Sequence, residues 1–125
     1  MGLERVVRVL VADDEIVVRQ AIVALLATDA RFEVVASVGS AADASDAAAA
    51  FGPDLAVVDV RMPGGGRAAI EGIRACSPET VVMVCSSYDD RHTRESMHDA
   101  GAAAYVVKGA DDLLDAACAV LGLPV

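Results

Sequence analysis

A chain of 125 residues with 55% hydrophobic side chains has the length of one domain and enough apolar volume for one core, so we expect a single domain over residues 1–125. Its net charge of −9 argues against direct nucleic-acid binding by this segment. No apolar run reaches eighteen residues and no secretory signal pattern is present, so we expect a cytoplasmic protein without a membrane segment. Cys76, Cys85 and Cys118 lack metal-ligand spacing, which predicts buried, reduced thiols.

The chain opens with a strand pattern followed by a helix pattern. Val6 to Ala12 is a nearly continuous apolar run, which predicts a buried strand. The segment from Ile16 to about Thr28 has the apolar spacing of an amphipathic helix. Its predicted buried stripe consists of Val18, Ala21, Ile22 and Leu25.

A second strand and a second helix follow. Phe32 to Val38 predicts a strand, and its more polar sequence suits an edge of the sheet. Ser40 predicts the N-cap of an alanine-rich helix that Gly52-Pro53 ends. The predicted buried stripe of this helix consists of Ala44, Ala47, Ala48 and Phe51.

The middle of the chain repeats this alternation. Leu55 to Val58 is a short run of branched and apolar residues, which predicts a strand buried on both faces of a parallel sheet. A third helix follows and ends before Ser77-Pro78; its predicted stripe consists of Gly66, Ala69, Ile70 and Ile73. Val81 to Cys85 predicts the fourth strand.

The last third of the chain contains a weaker helix pattern. Asp89 to Ala100 can form a helix, but only Met97 and Ala100 give it an apolar stripe, so we expect it to be the least firmly packed. Ala104 to Val107 predicts the fifth strand. A last helix is expected to end near Leu121, with a stripe that consists of Ala110, Leu113, Leu114 and Ala117.

Five strands that alternate with five helices predict an α/β fold, a three-layer, doubly wound parallel sheet. If the polar second strand lies at an edge, right-handed crossovers favour the strand order 2-1-3-4-5, with its switch point between strands one and three. Asp13 and Asp14 follow the first strand and Asp59 follows the third. We therefore expect these three carboxylates to share the crevice at the carboxyl edge of the sheet.

Three carboxylates in one crevice repel one another, so the cluster either takes up protons or binds a cation. Mg²⁺ suits these residue types, because it is a hard ion held by carboxylates, water and phosphate oxygens. We predict Asp13, Asp14 and Asp59 as its ligands, together with the backbone carbonyl of Arg61.

Two further strand ends offer groups that suit a phosphoryl group. Ser86 follows the fourth strand and has a hydroxyl, and Lys108, the only lysine in the chain, follows the fifth. Both side chains can stabilise the charge that develops during phosphoryl transfer. We therefore predict that Asp59 is a nucleophile that becomes an aspartyl phosphate.

The segments VLVADDE, VVDVRMPG, VMVCSS and AYVVKGA occur in this order along the chain. In that order and at these separations, they resemble the CheY-like receiver domain of two-component response regulators, over essentially the whole chain. The resemblance implies a flavodoxin-like fold and a histidine kinase or phosphotransfer protein as the phosphoryl donor. The site residues that it implies are Asp59 as phosphoacceptor, Asp13 and Asp14 as the acidic pair, Ser86 as the switch hydroxyl, Tyr105 as the switch aromatic and Lys108 as the family's lysine.

Lys108-Gly109-Ala110 and residues 32–44 are similar to receivers of the NarL/FixJ type, which usually precede a helix-turn-helix DNA-binding domain. We therefore expect any such output domain to lie beyond this chain and to control transcription. Gly109 stands where receivers often have proline, and 64–67 (GGGR) replaces the family's usual Asp-Gly after Met-Pro.

The segment Asp89 to Ala100, the fifth strand and the last helix form the expected face for a partner or a homodimer, because this helix has little burial to lose. The favoured function is regulatory rather than enzymatic, with at most slow loss of the phosphoryl group. Two alternatives stay open. One is a stand-alone or degenerate receiver that only binds proteins; the other is a magnesium-dependent phosphohydrolase of the haloacid dehalogenase type.

Overall fold

The computed structural model describes residues 5–124, which form five strands and five helices in strict alternation. The strands are β1 (Val7–Ala12), β2 (Phe32–Val38), β3 (Leu55–Val58), β4 (Val81–Ser86) and β5 (Ala104–Val107). The helices are α1 (Ile16–Ala27), α2 (Ala41–Phe51), α3 (Gly66–Cys76), α4 (Arg91–Ala100) and α5 (Leu113–Leu121). All strand pairs are parallel and their order is β2-β1-β3-β4-β5, so the predicted fold class and strand order are confirmed.

The sheet separates two apolar layers, because successive side chains of a strand point to opposite faces. Leu10 and Ala12 of β1 belong to the layer covered by α2, α3 and α4. Val9 and Val11 belong to the layer covered by α1 and α5. All four residues of β3 are buried, as expected for a central strand covered on both faces of the sheet.

Side chains cap three of the helices, α2, α4 and α5, and the sequence predicted the first of these caps. The Ser40 hydroxyl accepts a hydrogen bond from the backbone N–H of Asp43 at 3.1 Å, which confirms the predicted N-cap of α2. Asp90 caps α4 in the same way through the N–H of Thr93 at 2.9 Å. This helix therefore begins at Arg91, two residues later than the predicted start at Asp89.

The predicted stripe of α1 is partly wrong. Ile22 and Leu26 are the buried residues of this helix, whereas Ala21 and Leu25 are exposed. The helix is apolar on most of its circumference, so the 3.6-residue period in its sequence does not select one face. Val17 is 79% exposed, and with Ala21 and Leu25 it borders an apolar groove of about 520 Å³ between α1 and α5.

Three further expectations need correction. Phe51 is 44% exposed because it is the last residue of α2, where no following turn covers it. Ala110 lies outside α5, since Asp112 caps that helix and Asp111 instead accepts a hydrogen bond from the N–H of Val107 at 2.9 Å. Cys76, at the end of α3, is exposed rather than buried, although all three cysteines are free.

Gly66 brings the start of α3 directly against the end of β3. A Cβ atom at this position would lie 2.8 Å from Cα of Val60 and 2.9 Å from the backbone oxygen of Asp59. The N–H of Gly66 also donates to the backbone oxygen of Val60 at 2.8 Å. Only glycine fits this approach without a backbone shift, and the shift would occur beside Asp59.

We expect Gly66→Ala to lower the free energy of unfolding by about 2 kcal/mol, because the added methyl group meets backbone atoms that cannot rotate away. Chemical denaturation with urea measures this change. Gly52→Ala is the matched control: its Cβ meets nothing within 4 Å, so it carries only the cost of a left-handed backbone at φ 53°. A Gly66→Ala variant as stable as the wild type would contradict the close packing of α3.

Candidate functional site

The predicted site residues lie at the carboxyl edge of the sheet, where backbone hydrogen bonds continue just past the strands. The N–H of Asp59 donates to the backbone oxygen of Ala12 at 2.9 Å, and the N–H of Asp13 donates to Val38 at 3.0 Å. On the other side, the N–H of Lys108 donates to the backbone oxygen of Ser86 at 2.8 Å. These bonds fix the backbone from which both carboxylates and the ammonium group project.

Lys108 lies between two buried carboxylates. Its Nζ donates to Oδ2 of Asp13 at 2.9 Å and lies 3.5 Å from Oδ1 of Asp59. Asp13 is 1% exposed and Asp59 is 6% exposed, so these ion pairs are screened little by solvent. Burial lowers the pKa of Lys108, but its hydrogen bond to Asp13 and the charges of both carboxylates outweigh this effect, so the pKa is raised and the side chain stays charged.

Asp14 completes a cluster of three carboxylates. One oxygen from each of Asp13, Asp14 and Asp59 lies within 4.8 Å of the others, and Asp14 is the exposed member. Burial raises the pKa of Asp59, and the charge of Asp13 raises it further, while Lys108 acts in the opposite direction. A single ammonium group therefore leaves the cluster with excess negative charge, which favours a cation or a proton at this position.

The backbone around the cluster supplies further hydrogen bonds. Oδ1 of Asp13 accepts from the N–H of Glu15 at 2.9 Å, and the backbone oxygen of Asp13 accepts from Nη1 of Arg19 at 2.9 Å. Oδ1 of Asp59 accepts from the N–H of Val60 at 2.9 Å. Each buried carboxylate is thus held on at least two sides, whereas the Asp14 carboxylate forms no hydrogen bond to the described residues.

A cavity of about 330 Å³ opens above the cluster. Its lining consists of Asp14, Glu15, Asp59, Arg61, Ser87, Tyr88 and Lys108. The Arg61 guanidinium lies over the Tyr88 ring, with Cζ 4.3 Å from the ring centroid, and this contact closes one side of the cavity. The cavity therefore leads from solvent to the buried carboxylate of Asp59.

Ser86 and Tyr105 lie beside this cavity rather than in its lining. Ser86 is the last residue of β4, is fully buried, and its Oγ accepts a hydrogen bond from the N–H of Tyr88 at 3.1 Å. The half-buried Tyr105 donates its hydroxyl to the backbone oxygen of Tyr88, and Arg94 lies 4.6 Å from its ring centroid. Both predicted switch residues thus form hydrogen bonds with Tyr88, in the loop after β4.

Sequence patterns did not indicate three residues of the site. Glu15 and Ser87 line the cavity, and their position next to Asp14 and Ser86 was the only available signal. Arg19 lies on α1, in a segment where only the apolar residues formed a pattern.

Burial raises the pKa of Cys85, on the far side of Lys108, to about 11, so this thiol stays protonated.

The geometry agrees with a family comparison. The response regulator receiver domain model matches residues 9–117 of this chain. The chain belongs to this family. The match favours a receiver domain over the phosphohydrolase alternative and bears out the resemblance seen in the four sequence segments.

Relatives of this receiver domain include transcriptional regulators. It is 37% identical over 108 residues to the DNA-binding transcriptional activator DevR/DosR of Mycobacterium tuberculosis, with 82% of this chain and 48% of that protein covered. It is 31% identical over 102 residues to the nitrate/nitrite response regulator protein homolog of Haemophilus influenzae, with 81% and 49% covered. The receiver domain thus spans about half the length of these curated relatives.

Solved structures support the similarity to NarL-type receivers. The signal receiver domain of NarL from Mycobacterium tuberculosis superposes with a TM-score of 0.85 at 29% identity, covering 94% of this chain and 95% of that one. A LuxR-family response regulator from an Aurantimonas species superposes with a TM-score of 0.88 at 27% identity, covering 94% and 87%. Within residues 5–124, no helix is long and apolar enough to cross a membrane.

The raised pKa of Asp59 predicts a defined pH dependence of stability. The native receiver domain holds the Asp59 proton more tightly than the unfolded chain does, so its free energy of unfolding falls as pH rises past the usual value of 3.8. Asp59→Asn removes this loss, and we expect it to stabilise the metal-free domain at neutral pH.

Urea denaturation in the presence of a chelator, repeated between pH 4 and pH 8, measures this difference. Asp46→Asn, which removes an exposed carboxylate of α2, is the control and should show no such trend. A destabilised Asp59→Asn variant would contradict a net cost of ionising Asp59 in the folded domain.

Proposed function

We propose that this receiver domain accepts a phosphoryl group on Asp59 from a histidine kinase or phosphotransfer protein. The observation that carries the proposal is the position of Lys108, whose Nζ lies 2.9 Å from Asp13 and 3.5 Å from Asp59 at the base of an open cavity. Such an arrangement holds the acceptor carboxylate in place and supplies a positive charge for an incoming phosphoryl group.

The donor set suits Mg²⁺. Three carboxylates whose oxygens lie within 4.8 Å of one another offer only hard oxygen ligands, and one lysine does not neutralise them. In the proposal, Asp13, Asp14, Asp59 and the backbone carbonyl of Arg61 hold the ion. When bound, Mg²⁺ reduces the repulsion between the carboxylates and the phosphoryl oxygens.

In the transfer step, an oxygen of the ionised Asp59 forms a bond to phosphorus while the phosphorus–nitrogen bond of the donor's phosphohistidine breaks. The departing imidazole keeps the electron pair of that bond and takes up a proton. Lys108 is placed to stabilise the negative charge on the transferred group. Positioning and charge stabilisation thus carry the reaction.

Acetyl phosphate is a small donor that tests the acceptor role without a partner protein. We expect the domain to gain the mass of one phosphoryl group in the presence of MgCl₂, and to lose it in acid or base as an acyl phosphate does. Intact mass spectrometry measures this gain. Asp59→Asn should abolish it, whereas Asp46→Asn should not.

The same measurement distinguishes the remaining alternative. A degenerate receiver that acts only as a binding module would show no gain of mass in any variant. A gain that persists in Asp59→Asn would place the acceptor at another residue and would contradict the assignment of Asp59.

We further propose that the loop after β4 carries the signal to α4, β5 and α5. Ser86 and Tyr105 are both bonded to Tyr88, so a phosphoryl oxygen that draws the Ser86 hydroxyl toward Asp59 would also disturb the Tyr105 contact. Only Met97 and Ala100 of α4 are buried, so this helix has little packing to lose. The face formed by α4, β5 and α5 is accordingly the proposed surface for a partner or a homodimer.

Hydrogen exchange with and without beryllofluoride and Mg²⁺ tests this route. We expect altered protection over residues 86–108, and little change in α2 on the distant part of the same face. Asp59→Asn is the control, because it removes the group that beryllofluoride would modify. Unchanged protection over residues 86–108 in the wild-type domain would contradict the route through Tyr88.

We place the domain in a longer regulator of transcription, because it spans about half of relatives such as DevR/DosR. Its charge of −9 does not suit DNA, so the proposal assigns DNA binding to a separate domain beyond this chain. The receiver is regulatory rather than enzymatic in this proposal, with at most slow loss of its own phosphoryl group. The proposed location is the cytoplasm, because all three cysteines are free and thiols stay reduced there.

A further inference from the structure

Arg19 connects α1 to the loop that carries the acidic pair. Its Nη1 donates to the backbone oxygen of Asp13 at 2.9 Å, and its side chain is half-buried. The backbone N–H of Arg19 donates to the backbone oxygen of Glu15 at 2.9 Å, so the residue belongs to the first turn of the helix. The guanidinium therefore reaches back from a rigid element to the preceding loop.

Gly39 provides the space that this guanidinium occupies. A Cβ atom at position 39 would lie 2.9 Å from Nη1 of Arg19, and its next nearest neighbours would be at ordinary distances of 3.7 Å and 3.8 Å. An alanine at position 39 therefore conflicts with the Arg19 side chain alone. Without that side chain, it would fit.

The contact acts on Asp14 through the peptide bond. The carbonyl of Asp13 and the N–H of Asp14 belong to one planar peptide unit, so a bond to the Asp13 oxygen fixes the rotation of that plane. The Asp14 carboxylate is exposed and forms no hydrogen bond or ion pair with the described residues, although it lies within 4.8 Å of the other two carboxylates. No contact of its side chain fixes its direction, so the backbone, which sets where the Cβ atom points, decides which positions the carboxylate can reach.

The other polar groups of Asp13 have different partners. Its N–H donates to Val38, Oδ1 accepts from Glu15, and Oδ2 accepts from Lys108. Among the described residues, Arg19 is thus the hydrogen-bond partner of the Asp13 carbonyl, and its removal leaves the orientation of the Asp13–Asp14 peptide plane less restrained.

We propose that Arg19 is a positioning residue for the cation site, and that Gly39 is the small residue that admits it. By fixing the Asp13–Asp14 peptide, Arg19 directs the Asp14 carboxylate toward the position where Mg²⁺ binds. This inference rests on the proposed Mg²⁺ site and assigns to it two residues that do not contact the ion.

The sign of the effect distinguishes positioning from simple electrostatics. Arg19→Met removes a positive charge next to the loop that carries Asp13 and Asp14, so electrostatics alone would make Mg²⁺ bind more tightly. Loss of positioning makes Mg²⁺ bind more weakly, and groups that orient metal ligands typically contribute about tenfold or more to affinity. The two effects thus predict opposite changes.

The experiment is a titration of the ¹⁵N-labelled domain with MgCl₂ alone, followed by NMR at the amides of Glu15 and Val60. We expect the dissociation constant to rise about tenfold in Arg19→Met. In Gly39→Ala we expect a rise of about threefold to tenfold, because the guanidinium is displaced rather than removed. Gln20→Met, an exposed neighbour on α1, is the control and should bind as the wild type does.

The double variant tests whether Gly39 acts through Arg19. In the Arg19→Met background, Gly39→Ala should change the dissociation constant by less than about twofold, since the side chain with which it conflicts is gone. The NMR spectra show whether each variant is folded. Urea denaturation in the presence of a chelator measures the stability of each variant without Mg²⁺. A folded variant that has only lost stability would keep the wild-type dissociation constant for Mg²⁺.

The outcomes separate this inference from the proposal on which it rests. If the wild-type domain does not bind Mg²⁺, the proposed cation site fails. If the wild type binds and the folded Arg19→Met variant binds equally or more tightly, only the positioning role of Arg19 is overturned. Equal effects of Gly39→Ala in both backgrounds would show that Gly39 does not act through Arg19.

Discussion

The ammonium group of Lys108 places one positive charge among three carboxylates, and the rest of the site depends on this imbalance of charge. Its Nζ lies 2.9 Å from Asp13 and 3.5 Å from Asp59, and these ion pairs offset part of the free energy needed to bury the two carboxylates. Burial keeps the pKa of Asp59 raised, and the charge of Asp13 adds to this effect while Lys108 opposes it. A site of this kind gains stability when a cation binds, and it presents an ordered carboxylate to the cavity.

The fold produces this arrangement through ordinary features of a parallel sheet. Strands β1, β3 and β5 end at the same edge, and hydrogen bonds just past their ends align the backbone of Asp13, Asp59 and Lys108. Gly66 allows α3 to begin directly against the end of β3. The acids are therefore held by the backbone, while the groups proposed to move, Ser86 and Tyr105, are bonded to the loop after β4.

Much of the fold follows from local sequence, because four of the five strands are short, largely apolar runs, and α2, α4 and α5 each begin at a capping side chain and end at a glycine. The strand order also followed, since the polar β2 lies at the edge. The buried face of α1 did not follow, because nearly every residue of that helix is apolar. The hydrogen bonds of Arg19 to the Asp13 carbonyl and of the Tyr88 N–H to the Ser86 hydroxyl involve polar groups at the ends of elements, so no period of apolar residues reports them.

The central claim is that Asp59 lies in a pocket with more negative than positive charge, and direct titration of its side-chain carboxyl carbon by ¹³C NMR tests it. In metal-free buffer we predict a pKa above the usual 3.8 of an aspartate, because burial and Asp13 outweigh Lys108. Saturating Mg²⁺ should lower this pKa, since the ion favours the charged carboxylate. A pKa at or below 3.8 that does not respond to Mg²⁺ would contradict the account.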